Sequence, residues 1–369
     1  MAYTLGAIQA ATQFFLGKNE LSIDNWTFKL FYQVTASMLV GSSVLVTFNQ
    51  FFGDPISCDL PQGGVSEKVL KAYCWMYSTF NIPPSFEGSC ARKKLEVMPV
   101  YNSYYQWVPI VLMMQAISCY IPRILWLMME GGLMKFLAKG KTGRIVEDEE
   151  KQIANLLYTF RRNLQNKYNR YTLVFFLCEF LNLFIVTSLF FLTNSFLQGQ
   201  FLTYGYQVFA FYQLPPEETT ASGLINPMCE AFPRVVSCTY WKYGSGGRQT
   251  GVSALCILAM NIIIDKVYLI LWFWFIVIAI LAFFRVAGRV LQCTSTYVRY
   301  YLLKFKMYRY FKDDDNLIRI EEYIHACSLG DWFVLYQMSK NLNRRFFYKF
   351  LIELSWDATR LRYEYEHPE

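Results

Sequence analysis

Four stretches of this chain run almost unbroken in apolar residues, at 30–52, 107–128, 171–197 and 267–284. A helix of about 20 such residues crosses the ~30 Å hydrocarbon core of a bilayer, so each predicts a transmembrane helix. The first is unusual in its Ser, Thr, Gly and Gln. On a helical wheel Thr35, Ser42 and Asn49 form one stripe and Gln33, Ser37 and Gly41 another. Small polar stripes serve either as close contacts between helices or as the wall of a water-filled path. The fourth stretch, with Leu271-Trp-Phe-Trp-Phe275, is apolar on every side and is expected to face lipid.

The intervening segments carry other patterns. Ile153, Leu156, Leu157 and Phe160 repeat at helical spacing, and helix-like segments follow around 318–328, 331–340 and 345–354. Arg234 to Trp241 is rich in residues that favour strands, and Gly53-Asp54-Pro55 marks a turn. Residues 3–17 predict a short amphipathic helix, lying on the membrane or tucked into a pore mouth. Residues 1–29 hold no continuous apolar stretch but do hold Lys18, Glu20, Asp24 and Lys29. The first span is therefore expected to act as its own targeting signal.

Composition and charge sharpen this picture. The chain is 54% hydrophobic, 18% aromatic and 17% charged, below the quarter charged that is usual for soluble domains. Lys and Arg crowd into 129–170 and 285–369 and are sparse in 53–106 and 198–266. The positive-inside rule then makes 1–29, 129–170 and 285–369 cytosolic, and the loops 53–106 and 198–266 extracellular. That asymmetry accounts for the net charge of +7, so no nucleic-acid partner is expected; membrane lipids are. The sequon Asn25-Trp26-Thr27 falls on the cytosolic side and is expected to carry no glycan.

Six of the ten cysteines lie in the two outer loops: Cys58, Cys74 and Cys90 in the first, Cys229, Cys238 and Cys256 in the second. On the oxidising side of a membrane they predict disulfides, either within each loop or between the two. The fold class expected is an all-α membrane protein: a four-transmembrane-helix bundle with a small disulfide-stapled α/β extracellular cap and a helical cytosolic dome.

No catalytic or metal-binding constellation is found. The two histidines, His325 and His367, lie in the tail, and there is no HExxH, P-loop or G-x-S-x-G motif. Neither enzyme activity nor a cofactor or metal is expected. Within the spans, Glu179 and Asn182 share one helix face, and an ionisable group in lipid is expensive. Glu179 either pairs with a neighbouring helix, through Arg123, or serves a pore or gate. Pro122 interrupts the second span as a hinge or a fixed kink.

Several strings resemble the innexins, the invertebrate gap-junction subunits, and the arthropod branch most. The strongest is Tyr104-Tyr105-Gln106-Trp107-Val108 at the head of the second span. Around it stand Gly53-Asp54-Pro55, Tyr73-Cys74-Trp75, Thr203-Tyr204-Gly205, Phe232-Pro233-Arg234 and Gly330-Asp331-Trp332-Phe333, collinear over nearly the whole chain. The resemblance implies hemichannels, as octamers of this chain alone or with other innexin subunits, docking with an apposed hemichannel of a neighbouring cell. It implies the pairings Cys58–Cys256 and Cys74–Cys238, and an N-terminal segment from Met1, Ala2 and Tyr3 onward folded into the pore. Cys90 and Cys229 are additional to the family's four and are expected to pair with each other, since free outer thiols are a liability. The alternatives are a non-junctional hemichannel and a non-channel adhesion or scaffold protein.

Overall fold

A computed structural model describes residues 21–59, 66–77, 79–80, 101–143, 146–163, 167–215, 226–243, 246–307 and 314–366. Among the described residues four helices are long and apolar enough to cross a membrane: α1 (Trp26–Phe52), α3 (Val108–Glu130), α6 (Lys167–Phe196) and α9 (Asn261–Thr294). All four exceed or shift from the apolar windows in the sequence. A helix does not stop where its apolar run stops, and α9 continues ten residues past Phe284 through Arg285, Arg289 and Gln292. A π-helical turn, Leu30–Thr35, interrupts α1. The chain divides into two compact units, one of residues 34–119 and 185–279, the other of 1–33, 120–184 and 280–369.

The first unit contains the sheet. Strands β1 (Ser57–Cys58), β2 (Thr79–Phe80), β3 (Tyr101–Asn102), β4 (Val235–Tyr243) and β5 (Gln249–Ile257) are arranged in the order β1-β5-β4-β2-β3. Every pairing is antiparallel. The central hairpin pairs Val235 with Ile257 through to Tyr243 with Gln249. Inward positions alternate, so Val236, Cys238, Ala254 and Cys256 are buried, the period-2 signature of a sheet covered on one face. Helices α2 (Glu67–Met76), α7 (Phe201–Gln213) and α8 (Pro227–Ala231) complete this unit.

The second unit is helical. It adds α4 (Leu133–Ala138), α5 (Glu149–Asn163), α10 (Thr296–Met307), α11 (Asp314–Ala326), α12 (Leu329–Asn341) and α13 (Arg344–Glu366). Its core gathers Phe28, Trp126, Phe160, Phe175, Trp332, Phe333 and Phe350. Helix α12 is buried nearly all round, from Gly330 to Leu335 and at Gln337, Met338 and Ser339, as a helix through the middle of a core must be. Gly330 permits this: a Cβ there would meet the Asn169 amide nitrogen at 2.3 Å.

The fourth span does not face lipid on all sides. Leu271, Phe275, Ile278 and Ala282 are buried at helical spacing, while Ile270, Phe273, Val277 and Ile280 stay exposed. A uniformly apolar sequence carries no periodicity to show which face packs.

Candidate functional site

In the sheet unit, two disulfides join segments that lie far apart in the chain. Cys58 on β1 sits opposite Cys256 on β5 in the antiparallel register and is bonded to it. Cys74 on α2 is bonded to Cys238 on β4. The bonded residues are separated by 198 and 164 positions, so both bridges tie residues preceding α3 to residues following α7. Cys229, on α8, is disulfide-bonded as well, and Cys90 lies outside the described residues.

The string Tyr104–Val108 anchors the head of α3 to this sheet unit. Tyr104–Gln106 forms a 3₁₀ turn before the helix. Tyr105 is buried with its ring 4.8 Å from Trp75 on α2, and the Gln106 amide donates to the Trp75 carbonyl. Tyr104 packs edge-on against Phe232, Val108 is fully buried, and Trp107 is exposed. The head of α9 is tied in likewise. Arg234 Nη2 lies 2.8 Å from the buried Asp265 carboxylate, and Asn261 Nδ2 donates to the Pro233 carbonyl at 2.6 Å. Gly205 on α7 lets the Trp272 ring approach: a Cβ would stand 2.1 Å from it. Trp272 then donates its indole N–H to the Leu202 carbonyl at 3.1 Å.

The polar residues of α1 divide. Thr35 is completely buried and accepts a hydrogen bond from Trp274 Nε1 at 2.9 Å, so its hydroxyl faces a neighbouring helix of the same chain rather than water. Ser42 and Asn49 are half-buried, as are Gln33 and Ser37, and Gly41 is exposed. Ser43 is buried and donates to the Pro109 carbonyl at 2.8 Å. Met1, Ala2 and Tyr3 lie outside the described residues. Pro122 is buried within the continuous helix α3.

In the helical unit a polar cluster surrounds the start of α1. Glu179 pairs with Arg289, not with Arg123. Arg289 Nε reaches Glu179 Oε2 at 2.5 Å and Nη2 reaches Oε1 at 3.1 Å. Arg123 instead pairs with Asp24, which also accepts from the Tyr32 hydroxyl at 2.9 Å. Arg289 sits beyond the apolar window of the fourth span, so sequence alone assigned it to the tail. The Asn25 amide bridges the cluster, donating to Glu179 Oε1 at 2.6 Å and accepting from Lys340 Nζ at 2.8 Å. Asn25 is thereby buried with both ends of its amide hydrogen-bonded. Asn182 shares the buried face of Glu179.

Burial pushes the Asp24 carboxyl above the usual carboxylate range despite the pull of Arg123. Lys340 is brought down to about 7, first by burial and then by the positive charges of Arg289, Arg285 and Lys306, against the opposing Glu179. Asp24, Asn25 and Lys340 gave no signal in the sequence, being polar residues outside the apolar spans.

One unit thus holds disulfide staples and the other buried ion pairs. A sequence profile of the family described as Innexin matches residues 24–358. Innexin inx2 of Drosophila melanogaster is 36% identical over 352 residues, covering 91% of this chain and 92% of the relative. Innexin inx2 of Schistocerca americana is 36% identical, covering 91% and 94%. Innexin shaking-B of Drosophila melanogaster is 32% identical, covering 95% and 93%. The chain belongs to the innexin family, the gap-junction channel subunits.

Proposed function

We propose that this chain forms hemichannels, as octamers of itself or with other innexin subunits, that dock with those of a neighbouring cell and pass ions and small metabolites passively. Residues 53–106 and 198–266 then lie outside the cell, and the two termini and 129–170 in the cytosol, a topology that the distribution of Lys and Arg supports. The observation carrying this reading is the pair of disulfides that makes one sheet from both loops. Such a clamp presents a fixed surface, on which Trp241 and Tyr243 of the β4–β5 hairpin are exposed.

Each subunit contributes one face of α1 to the conduction path. Ser42 and Asn49 remain candidates for that face, whereas the hydrogen bond to Trp274 removes Thr35 from it. Residues from Met1 onward narrow the path, and selectivity follows from its width and lining charge. Pro122 acts within α3 as a hinge coupled to the gate or as a fixed kink that shapes packing.

The test is electrical. Cells lacking endogenous junctional proteins, expressing this chain and brought into contact, are expected to show junctional conductance and transfer of a small dye. Current confined to single cells would replace the junctional reading with a hemichannel. Absence of current in either setting, with the protein at the surface, would leave an adhesion or scaffold role or an obligate partner subunit.

A further inference from the structure

Beyond the last residue of α3 the helical unit contains an open cavity of about 490 Å³ whose lining is basic and apolar. Lys135, Phe136 and Lys139 come from α4 and the residue after it, and Gly132, Gly140 and Thr142 from the turns at its two ends. Lys135 and Lys139 are four residues apart, hence on one helix face. Both are exposed, and Phe136 between them is 65% exposed. Gly132 and Gly140 have φ of +82° and +74° and no side chain to fill the space.

Among the described residues no carboxylate lines this cavity, which Leu21 and Ala138 complete. The acid at the end of α3, Glu130, is 8% exposed. Its two oxygens accept from the Gly132 and Met134 amides at 2.7 Å each, so it caps the turn instead of neutralising the lysines. The position matters as much as the charge. The cavity begins two residues after an apolar helix whose last turns expose Leu127, Met128 and Met129. The headgroup layer of a bilayer is roughly 5–8 Å thick on each side of the hydrocarbon, about one helical turn. An exposed Phe beside two lysines at that depth matches an amphiphile with an anionic head.

We propose that this cavity holds the phosphate headgroup of an acidic phospholipid, with Lys135 and Lys139 as the cationic donors and Phe136 against the acyl chains. The proposal rests on reading Val108–Glu130 as a membrane span and is independent of whether the channel conducts. The cytosolic leaflet, where positive-inside places this segment, is the one rich in such lipids.

Native mass spectrometry of the full chain in a neutral detergent tests it, with dioctanoyl phosphatidic acid, dioctanoyl phosphatidylcholine and inorganic phosphate as separate probes. Phosphatidic acid is expected to bind at least tenfold more tightly than either of the others. Each lysine near a membrane surface contributes roughly a fivefold gain, so K135Q/K139Q is expected to weaken binding about 30-fold. Both lysines are exposed, so the melting temperature stays near that of the parent. Thr142→Asp, which sets a carboxylate in the same cavity, is expected to weaken binding by an independent route, while K68Q/K71Q in the sheet unit leaves it unchanged. Unaltered binding in K135Q/K139Q would overturn the proposal, as would equal affinity for phosphatidylcholine. Inorganic phosphate binding as tightly as the lipid would overturn it in favour of a free-anion site.

Discussion

Replacing Arg289 with Met is expected to destabilise the helical unit by about 3–5 kcal/mol, the range seen when one member of a buried ion pair is removed. The side chains of Arg289 and Glu179 are 5% and 3% exposed, and the pair makes two hydrogen bonds. Without the guanidinium, Glu179 keeps a single charge-neutral donor, Asn25 Nδ2. Gln292 Oε1 also loses its donor, Arg289 Nη1 at 2.6 Å. The Phe175, Phe176 and Phe333 rings, all within 5.4 Å of the guanidinium carbon, lose a cation they surround. Met retains much of the apolar contact, so the loss is mainly electrostatic. Removing both charges in E179Q/R289M eliminates the unpaired carboxylate and is expected to recover about 2–3 kcal/mol of the single-mutant loss. Thermal unfolding in detergent can be followed by a thiol-reactive fluorophore, because Cys119 and Cys178 are buried and react only on opening, above a background from exposed Cys293. R289M is expected to melt about 5–15 °C below the parent, and the double variant between the two. Parent-like melting of R289M, or additive losses in the double variant, would refute the reasoning.

Gly205→Ala forces a methyl into the Trp272 ring and is expected to cost about 1–3 kcal/mol, with W272L restoring part of it in the same unfolding assay. Lys340 gives a pH signature. Unfolded, it takes up its proton below about 10.4; folded, only below about 7. Between those values the unfolded chain binds more protons, so this lysine makes stability rise with pH from 7 to 10, and below 7 its destabilising effect is complete. K340M is expected to flatten the melting temperature across that window, and an unchanged pH slope would count against the assignment. Peptide mapping without reduction is expected to find Cys90 linked to Cys229, and recovery of both as alkylated thiols would contradict it. Cys58→Ser is expected to abolish junctional conductance by loss of folding or docking, since either bridge alone closes a loop whose entropy amounts to about 5 kcal/mol; parent-like current would contradict the clamp.

Much of the fold was legible because lipid imposes a simple code. Four apolar runs reported four long helices, and the strand-favouring residues of Arg234–Trp241 reported the strand found at Val235–Tyr243. Periodicity at Ile153, Leu156 and Phe160 reported the helix Glu149–Asn163 and its buried face. What escaped was pairing. Glu179 stood out as a lone acid in an apolar run, but its partner lay 110 positions away, in a segment whose polarity made it look like tail. Asp24 and Lys340 looked like ordinary solvated charges, because burial by a distant helix leaves no local mark. Thr35 fitted a polar stripe on a wheel, yet a wheel drawn for one helix cannot register Trp274 on another. The π turn at Leu30–Thr35 also shifts the phase of such a wheel, since it takes more residues to complete a turn than an α-helix does.

Electron cryo-microscopy of the protein purified in lipid from contacting cells tests the central claim most directly. The account predicts two rings of eight subunits meeting end to end, with the hairpin Val235–Ile257 of each subunit at the contact plane and residues 314–366 at the two outer ends. Rings that meet through residues 314–366, or a chain that forms no ring at all, would contradict it.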